Sequence, residues 1–156
     1  MEKKDHREKL IAFCGLYCGD CCAHKGTIAD LAAELSAELD REHFARMAES
    51  LSRAVHFKAF ERYEDCRQAL DAMTKIRCGK TCRGGGGRPD CAIRACCREK
   101  GFEGCWQCGG FETCPTLDSL CIAHGDAHIR NLRQIQLHGA KAFADGEHLW
   151  YCEGKG

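Results

Sequence analysis

Fifteen cysteines among 156 residues constrain this chain more than any other feature. A disulfide framework would leave one thiol over, and the charged opening from Met1 to Lys9 has no apolar signal segment behind it. The expectation is therefore a cytoplasmic chain, where thiols stay reduced and disulfides are a poor use for them. The spacing points to metal. Cys14-x3-Cys18-x2-Cys21-Cys22, Cys78-x3-Cys82, Cys91-x4-Cys96-Cys97 and Cys105-x2-Cys108-x5-Cys114 are clusters of the kind whose short loops turn two sulfurs toward one ion.

Thiolates select zinc or iron–sulfur clusters over magnesium or calcium. The candidate ligands are Cys14, Cys18, Cys21, Cys78, Cys82, Cys91, Cys96, Cys105, Cys108 and Cys114. Cys105, Cys108 and Cys114 form the best single knuckle, which either Cys96 or Cys97 can close. Cys78 and Cys82 with Cys91 make a second set, and Cys14, Cys18 and Cys21 a third. Spacing does not say which cysteine completes each set. The leading expectation is two or more zinc ions held as structural sites. One alternative is an iron–sulfur protein in electron transfer or a redox enzyme system. Another is a metalloenzyme with an open position at the Cys14, Cys18 and Cys21 triad, where Asp20 and His24 are the local acid–base candidates. That triad also matches the cluster motif of radical S-adenosylmethionine enzymes, but the chain is too short for their partial barrel and lacks its strand–helix repeats.

Between the cysteine zones the pattern is helical. Ile28, Leu31, Ala32, Leu35 and Leu39 recur at helical spacing behind a Thr27 cap with Asp30 three residues on. Phe44, Met47, Ala48 and Leu51 make a second stripe, and Tyr63, Cys66, Leu70 and Met73 a third; all three are read as core. Pro89 is expected to start a short helix through Cys96 and Cys97 that stops at Gly101, and Pro115 to start another. Ile129, Leu132 and Ile135 then lead to Gly139. Alternating strand patterns are almost absent. The fold class is mainly α, a small helical domain with irregular, zinc-knuckle-like cysteine loops. One domain over 1–156 is expected, with its helical core at about 27–75 and 115–151 and metal loops at about 10–26 and 76–114.

Acidic and basic residues balance at 23 each, which argues against a strongly basic nucleic-acid protein. Residues 75–100 nevertheless hold eight basic residues against two acidic ones. No aromatic residue is interleaved there, so offsetting the negative charge of metal-bound thiolates is favoured over nucleic-acid binding. A protein partner is compatible with all of this. No apolar run is long enough to cross a membrane.

Other residues have plainer readings. His124 and His128 are expected on a solvated helix face, and the Gly84–Gly87 run as a flexible linker. Cys66 and Cys121 are expected as buried small hydrophobes, and Trp106 as a cover over a metal loop. Cys152 is either a free thiol or a late ligand.

Phe13-Cys14-Gly15-Leu16-Tyr17-Cys18-Gly19-Asp20-Cys21 resembles the opening block of the DUF3795 family. Cys91-Ala92-Ile93-Arg94-Ala95-Cys96, Glu99-Lys100-Gly101, Cys105-x2-Cys108 and Phe111-x2-Cys114-Pro115 are similar to its second block, and Leu132 to Trp150 more loosely to its closing helix. The resemblance implies a cysteine-rich bacterial or archaeal protein presumed to bind zinc, and it implies no reaction. Arg88 stands where family members often carry a further cysteine; Cys22, Cys97, Cys121 and Cys152 are extras by the same comparison.

Overall fold

A computed structural model describes residues 6–152; the charged opening at 1–5 lies outside them. Among the described residues the chain is mainly helical, with no strand and one isolated bridge between Ile11 and Tyr17. It forms two compact units, one of residues 25–77 and one of the remaining residues on either side.

The 25–77 unit is built on α1 (Thr27–Arg41), α2 (Phe44–Leu51) and α3 (Tyr63–Thr74). The cap of α1 is Gly26, in the left-handed region at φ 76°, so Thr27 is the first helical residue rather than the cap. A Cβ at position 26 would also lie 2.8 Å from Arg77 Nη1, whose guanidinium pairs with Asp30. The helices meet mainly through alanines. Ala29, Ala32, Ala48 and Leu70 are buried, whereas Ile28, Leu31 and Leu35 are 44%, 59% and 48% exposed. The apolar stripe read as core is thus largely surface, because close helix approach selects the alanines. Met47 and Met73 are exposed as well. Arg67 ties α3 to α1 through the Ser36 carbonyl at 3.2 Å and the Asp40 carboxylate at 2.9 Å. Phe44 packs against Phe60 and Tyr63, with ring centroids at 5.6 and 5.7 Å.

In the other unit, the chain leaves after His24 and returns at Cys78, whose N–H donates to the Ala23 carbonyl at 2.9 Å. Every residue from Ile11 to Tyr17 is buried. Its longest helices are α4 (Ala92–Glu99) and α5 (Ala127–Asp145). The Leu132 and Ile135 spacing holds: both are buried on α5, which runs past Gly139 through a kink (φ 86°) instead of ending there. Pro115 does open a helix, but a single turn ending at Asp118, and Cys121–His124 is a separate turn. Leu132 packs with Phe13, Leu16, Ile93, Phe111 and Leu117, each burial contributing about 1.5–3 kcal/mol. A second cluster gathers Ile11, Tyr17, Ile135, Phe143 and Ala144.

The C-terminal segment is pinned back onto this unit. Asn131 donates to the Leu149 carbonyl at 2.8 Å and accepts from the Leu149 N–H at 3.1 Å. His148 stacks on Tyr17 at 3.8 Å, donates from Nε2 to the Phe143 carbonyl at 2.9 Å and places Nδ1 3.3 Å from Asp20. No helix among the described residues is long and apolar enough to cross a membrane.

Candidate metal centre

Cys66 is the one cysteine of the 25–77 unit; the other fourteen of the fifteen lie in the larger unit. All fifteen stand as free thiols. Cys14 and Cys105 are buried; Cys18, Cys21, Cys78, Cys82, Cys91, Cys108 and Cys114 are half-buried; Cys96 is exposed. Cys66 and Cys121, expected in the core, are exposed: helical period places them on an apolar stripe but does not decide which of its residues another element covers.

The first loop is a tight turn. Gly15 N–H donates to the Ala12 carbonyl at 3.0 Å, and Ala12 N–H to the Leu16 carbonyl at 2.8 Å. Gly15 is required twice over: its φ is 85°, and a Cβ there would lie 2.8 Å from the Leu132 side chain. Cys14 is thereby set into the core with Cys18, Cys82 and Cys91 around it. Burial pushes the Cys14 thiol up to about 12; the Leu16 amide opposes this, and Cys82, Cys91 and Cys18 add to it as neighbouring negative charges. Burial likewise raises Cys18, with Cys82, Cys21 and Cys78 adding to it. Its sulfur accepts from the Cys82 N–H at 3.4 Å.

The loop from Cys78 to Cys91 is ordered by its glycines and by Arg94. The Gly84–Gly87 run is not a loose linker. Gly86 N–H donates to the Thr81 carbonyl at 2.8 Å, and Gly85 N–H to the Cys82 carbonyl at 3.1 Å. Gly87 N–H donates to Cys78 Sγ at 3.3 Å. A Cβ on Gly86 would fall 1.9 Å from the Lys80 carbonyl oxygen. Arg94, only 5% exposed on α4, donates to the carbonyls of Gly86 (2.7 Å), Arg88 (2.6 Å), Pro89 (3.1 Å) and Cys82 (3.3 Å). Cys91 caps α4, so Pro89 lies before the helix rather than at its start, while Gly101 (φ 67°) follows its end as expected.

The third group surrounds the Cys105 knuckle. Cys105 N–H donates to the Phe13 carbonyl at 2.8 Å, and Cys108 N–H to the Cys105 carbonyl at 2.9 Å. Gly104 lacks a Cβ where one would lie 1.9 Å from the Trp106 ring, and that ring packs into the core beside the knuckle. Cys97 Sγ stands 3.6 Å from Cys105 Sγ. That hydrogen bond lowers Cys97 and raises Cys105, and burial adds to the latter. The exposed Lys100 is raised by the charges of Cys96, Cys108 and Cys114.

Three cations of the basic segment, Arg83, Arg94 and Lys100, lie against these loops. Arg83 lies 4.9 Å from the Phe13 ring centroid and 5.6 Å from that of Trp106; burial lowers its affinity for a proton, and Glu103 first, then Cys82, Cys18 and Cys97, oppose this as charges favouring its cationic form. Arg94 is spent on carbonyls and Lys100 faces thiols.

The paired histidines are not a solvated face. His128 is fully buried with neither ring nitrogen hydrogen-bonded, and His124 is half-buried, its Nδ1 2.8 Å from the Trp150 carbonyl. Nor do they share a helix: His124 ends the Cys121–His124 turn and His128 lies on α5, with Gly125 (φ 60°) between them. Cys152 N–H donates to the His124 carbonyl at 3.2 Å, and its sulfur accepts from Arg130 at 3.5 Å.

Among the described residues, no three His, Cys, Asp or Glu side chains converge closely enough to hold a metal ion. The ten candidate cysteines share neighbourhoods without meeting at a point. Their donor chemistry still fits a soft cation, since sulfurs are the groups assembled and each raises its neighbours' cost of ionising, which a bound divalent ion would reverse.

Fold and cysteine arrangement define a cysteine-rich, mainly helical protein. The profile of DUF3795, described as a protein of unknown function, matches residues 10–119, and the chain belongs to that family. No curated protein and no solved structure matches it.

Proposed function

We propose that the chain binds two or more zinc ions through cysteine thiolates, as structural ions that hold the loops of the larger unit. The observation that carries this reading is the grouping of sulfurs around the buried Cys14, with Cys18, Cys82 and Cys91 as its charged neighbours. Cys105, Cys108 and Cys114 with the α4 cysteines form the second group. Bound zinc would supply folding free energy that short 3₁₀ turns and glycine-rich loops do not obtain from burial alone. Cys78 and Cys82, both neighbours of Cys18, favour a filled fourth position at the first loop over the open site of an enzyme. Arg83, Arg94 and Lys100 then act within the unit, which argues against nucleic acid as the partner.

Elemental analysis with a visible spectrum, on untagged protein purified without oxygen, tests the reading. About two or three zinc ions per colourless chain are expected. Iron with matching sulfide and visible absorption would replace zinc by clusters. Metal-free, fully folded protein would end both readings. Chelation should melt the 78–114 region in circular dichroism, and an unchanged spectrum after verified metal loss would remove the structural role.

A further inference from the structure

The 25–77 unit buries very little apolar surface of its own. Its buried apolar residues are three alanines and one leucine, Ala29, Ala32, Ala48 and Leu70. Ile28, Leu31 and Leu35 on α1, Met73 on α3 and Ile76 just beyond it stand between 40% and 59% exposed. Positions 28, 31 and 35 follow the i, i+3, i+7 spacing of a two-helix seam, and Ala29 and Ala32 occupy the neighbouring face that packs within the unit. Arg77 pairs with Asp30 at one end of α1, and Arg67 reaches Ser36 and Asp40 toward the other. The two helices therefore run antiparallel, and Met73 and Ile76 stand alongside the N-terminal turns of α1. A contiguous apolar surface of this kind marks an interaction site.

We propose that this face is an interface between two copies of the chain, α1 of one lying antiparallel across α1 of the other. The seam is self-complementary: a two-fold axis at Leu31 sets Leu31 against Leu31 of the second copy and Ile28 against its Leu35. Charge selects the direction. Lys25 stands at the N-terminal end of α1, while Glu34 and Glu38 lie one turn apart on the flank of the seam toward its C-terminal end. Lys25 and Glu34 are exposed, and no side-chain ion pair or hydrogen bond among the described residues involves either. Antiparallel pairing brings Lys25 opposite the turn that carries Glu34 and Glu38 in the second copy, and it also opposes the helix dipoles. Parallel pairing would set the two acidic turns against each other. The size of the face sets the strength. The 15 residues of α1 extend about 22 Å, and α1 and α3 are each about 10 Å across. A contact of those dimensions covers about 450 Å² per copy, short of the roughly 800 Å² per partner of a standard interface, so the dimer exchanges with monomer. The inference stands apart from the zinc reading, since none of the candidate ligands lies in residues 25–77.

Sedimentation velocity tests it on the full-length chain, across about 1–300 µM and with a phosphine reductant present so that no intermolecular disulfide contributes. The weight-average mass should rise from 17.3 kDa toward twice that value with concentration. Leu31→Asp puts two charges at the centre of the seam and should weaken the dimer about 30-fold or more. Because Leu31 is 59% exposed, the circular dichroism of the monomer should not change. Lys25→Glu should weaken the dimer as well, and combining it with Glu34→Lys and Glu38→Lys should restore it. Should Leu31→Asp fail to fold, this charge exchange decides alone. A chain that stays monomeric throughout overturns the proposal and leaves the face to a different partner. A dimer that survives Leu31→Asp overturns it too, because the contact then lies elsewhere. Association unchanged by Lys25→Glu, or not restored by the exchange, overturns the antiparallel pairing.

Discussion

Arg94 donates from Nη1 to the carbonyl oxygen of Gly86 at 2.7 Å, and through this contact α4 holds the loop that carries Cys78 and Cys82. The guanidinium reaches three further carbonyls, so one planar cation organises the backbone between two cysteine clusters. A lysine keeps the charge but not the fork. Arg94→Lys is expected to cost about 1.5–3 kcal/mol in urea unfolding, the value of hydrogen bonds made by a charged donor. Stability within about 0.5 kcal/mol of wild type would show that the loop holds itself.

Gly86 is the second fixed point of that loop. Besides meeting the Lys80 carbonyl, a Cβ there would lie 2.7 Å from Cys78 Sγ, and neither neighbour is free to move, since Cys78 Sγ already donates to that carbonyl at 2.7 Å. Gly86→Ala should therefore expose the loop to limited proteolysis and lower the melting temperature. Gly79→Ala is the control, because a Cβ at 79 meets nothing within 4 Å, and it should change stability by less than about 0.5 kcal/mol. Equal behaviour of the two variants would contradict the close packing.

These two residues show how far the sequence could be read. The cysteine spacings located the loops, and the α5 face with Leu132 and Ile135 followed from helical period, because burial along one long helix is a local pattern. Gly86 was invisible in a run of four like residues, since what forbids a side chain there is a carbonyl six positions earlier in sequence. The same limit applies to α1: period finds Ile28, Leu31 and Leu35, but only the approach of α3 decides that Ala29 and Ala32 are the buried residues. Arg94 was legible as part of the Cys-x-Ile-Arg-x-Cys block, though its role was not. The grouping of Cys14 with Cys82 and Cys91 joins segments more than sixty residues apart, which no spacing rule reaches.

His128 should make stability fall on mild acidification. Burial lowers its affinity for a proton; the charge of His124 adds to this, while Asp126, Asp118 and the Leu117 backbone oppose it. The unfolded chain then binds more protons than the folded one below about pH 6.5. The stability contribution of the neutral ring is complete above that pH and is lost as pH drops toward the lowered folded value. His128→Leu removes a buried ring with no hydrogen-bond partner, so it should stay within about 1.5 kcal/mol of wild type at pH 7.5. It should also lose less stability than wild type between pH 6.5 and 5. Parallel pH profiles from denaturant unfolding would show that His128 is not the titrating group.

Arg83 tests whether the basic segment serves the thiols. Its guanidinium packs on Phe13 and Trp106 and takes Glu103, then Cys82, Cys18 and Cys97, as favourable charges, so it is a neighbour of metal-bound sulfur in the proposed state. Arg83→Gln keeps a planar polar group and removes the charge. Competition with a chromophoric chelator should show zinc held about 10-fold more weakly or worse, the usual range for groups that support metal ligands. Single-stranded oligonucleotide binding at moderate salt should be negligible for wild type and variant alike, because most cations of this segment are engaged: Arg83 with rings, Arg94 and Arg98 with carbonyls, and Lys75, Arg77 and Arg88 with carboxylates. A variant with unchanged zinc affinity but reduced oligonucleotide binding would assign the basic segment to nucleic acid instead.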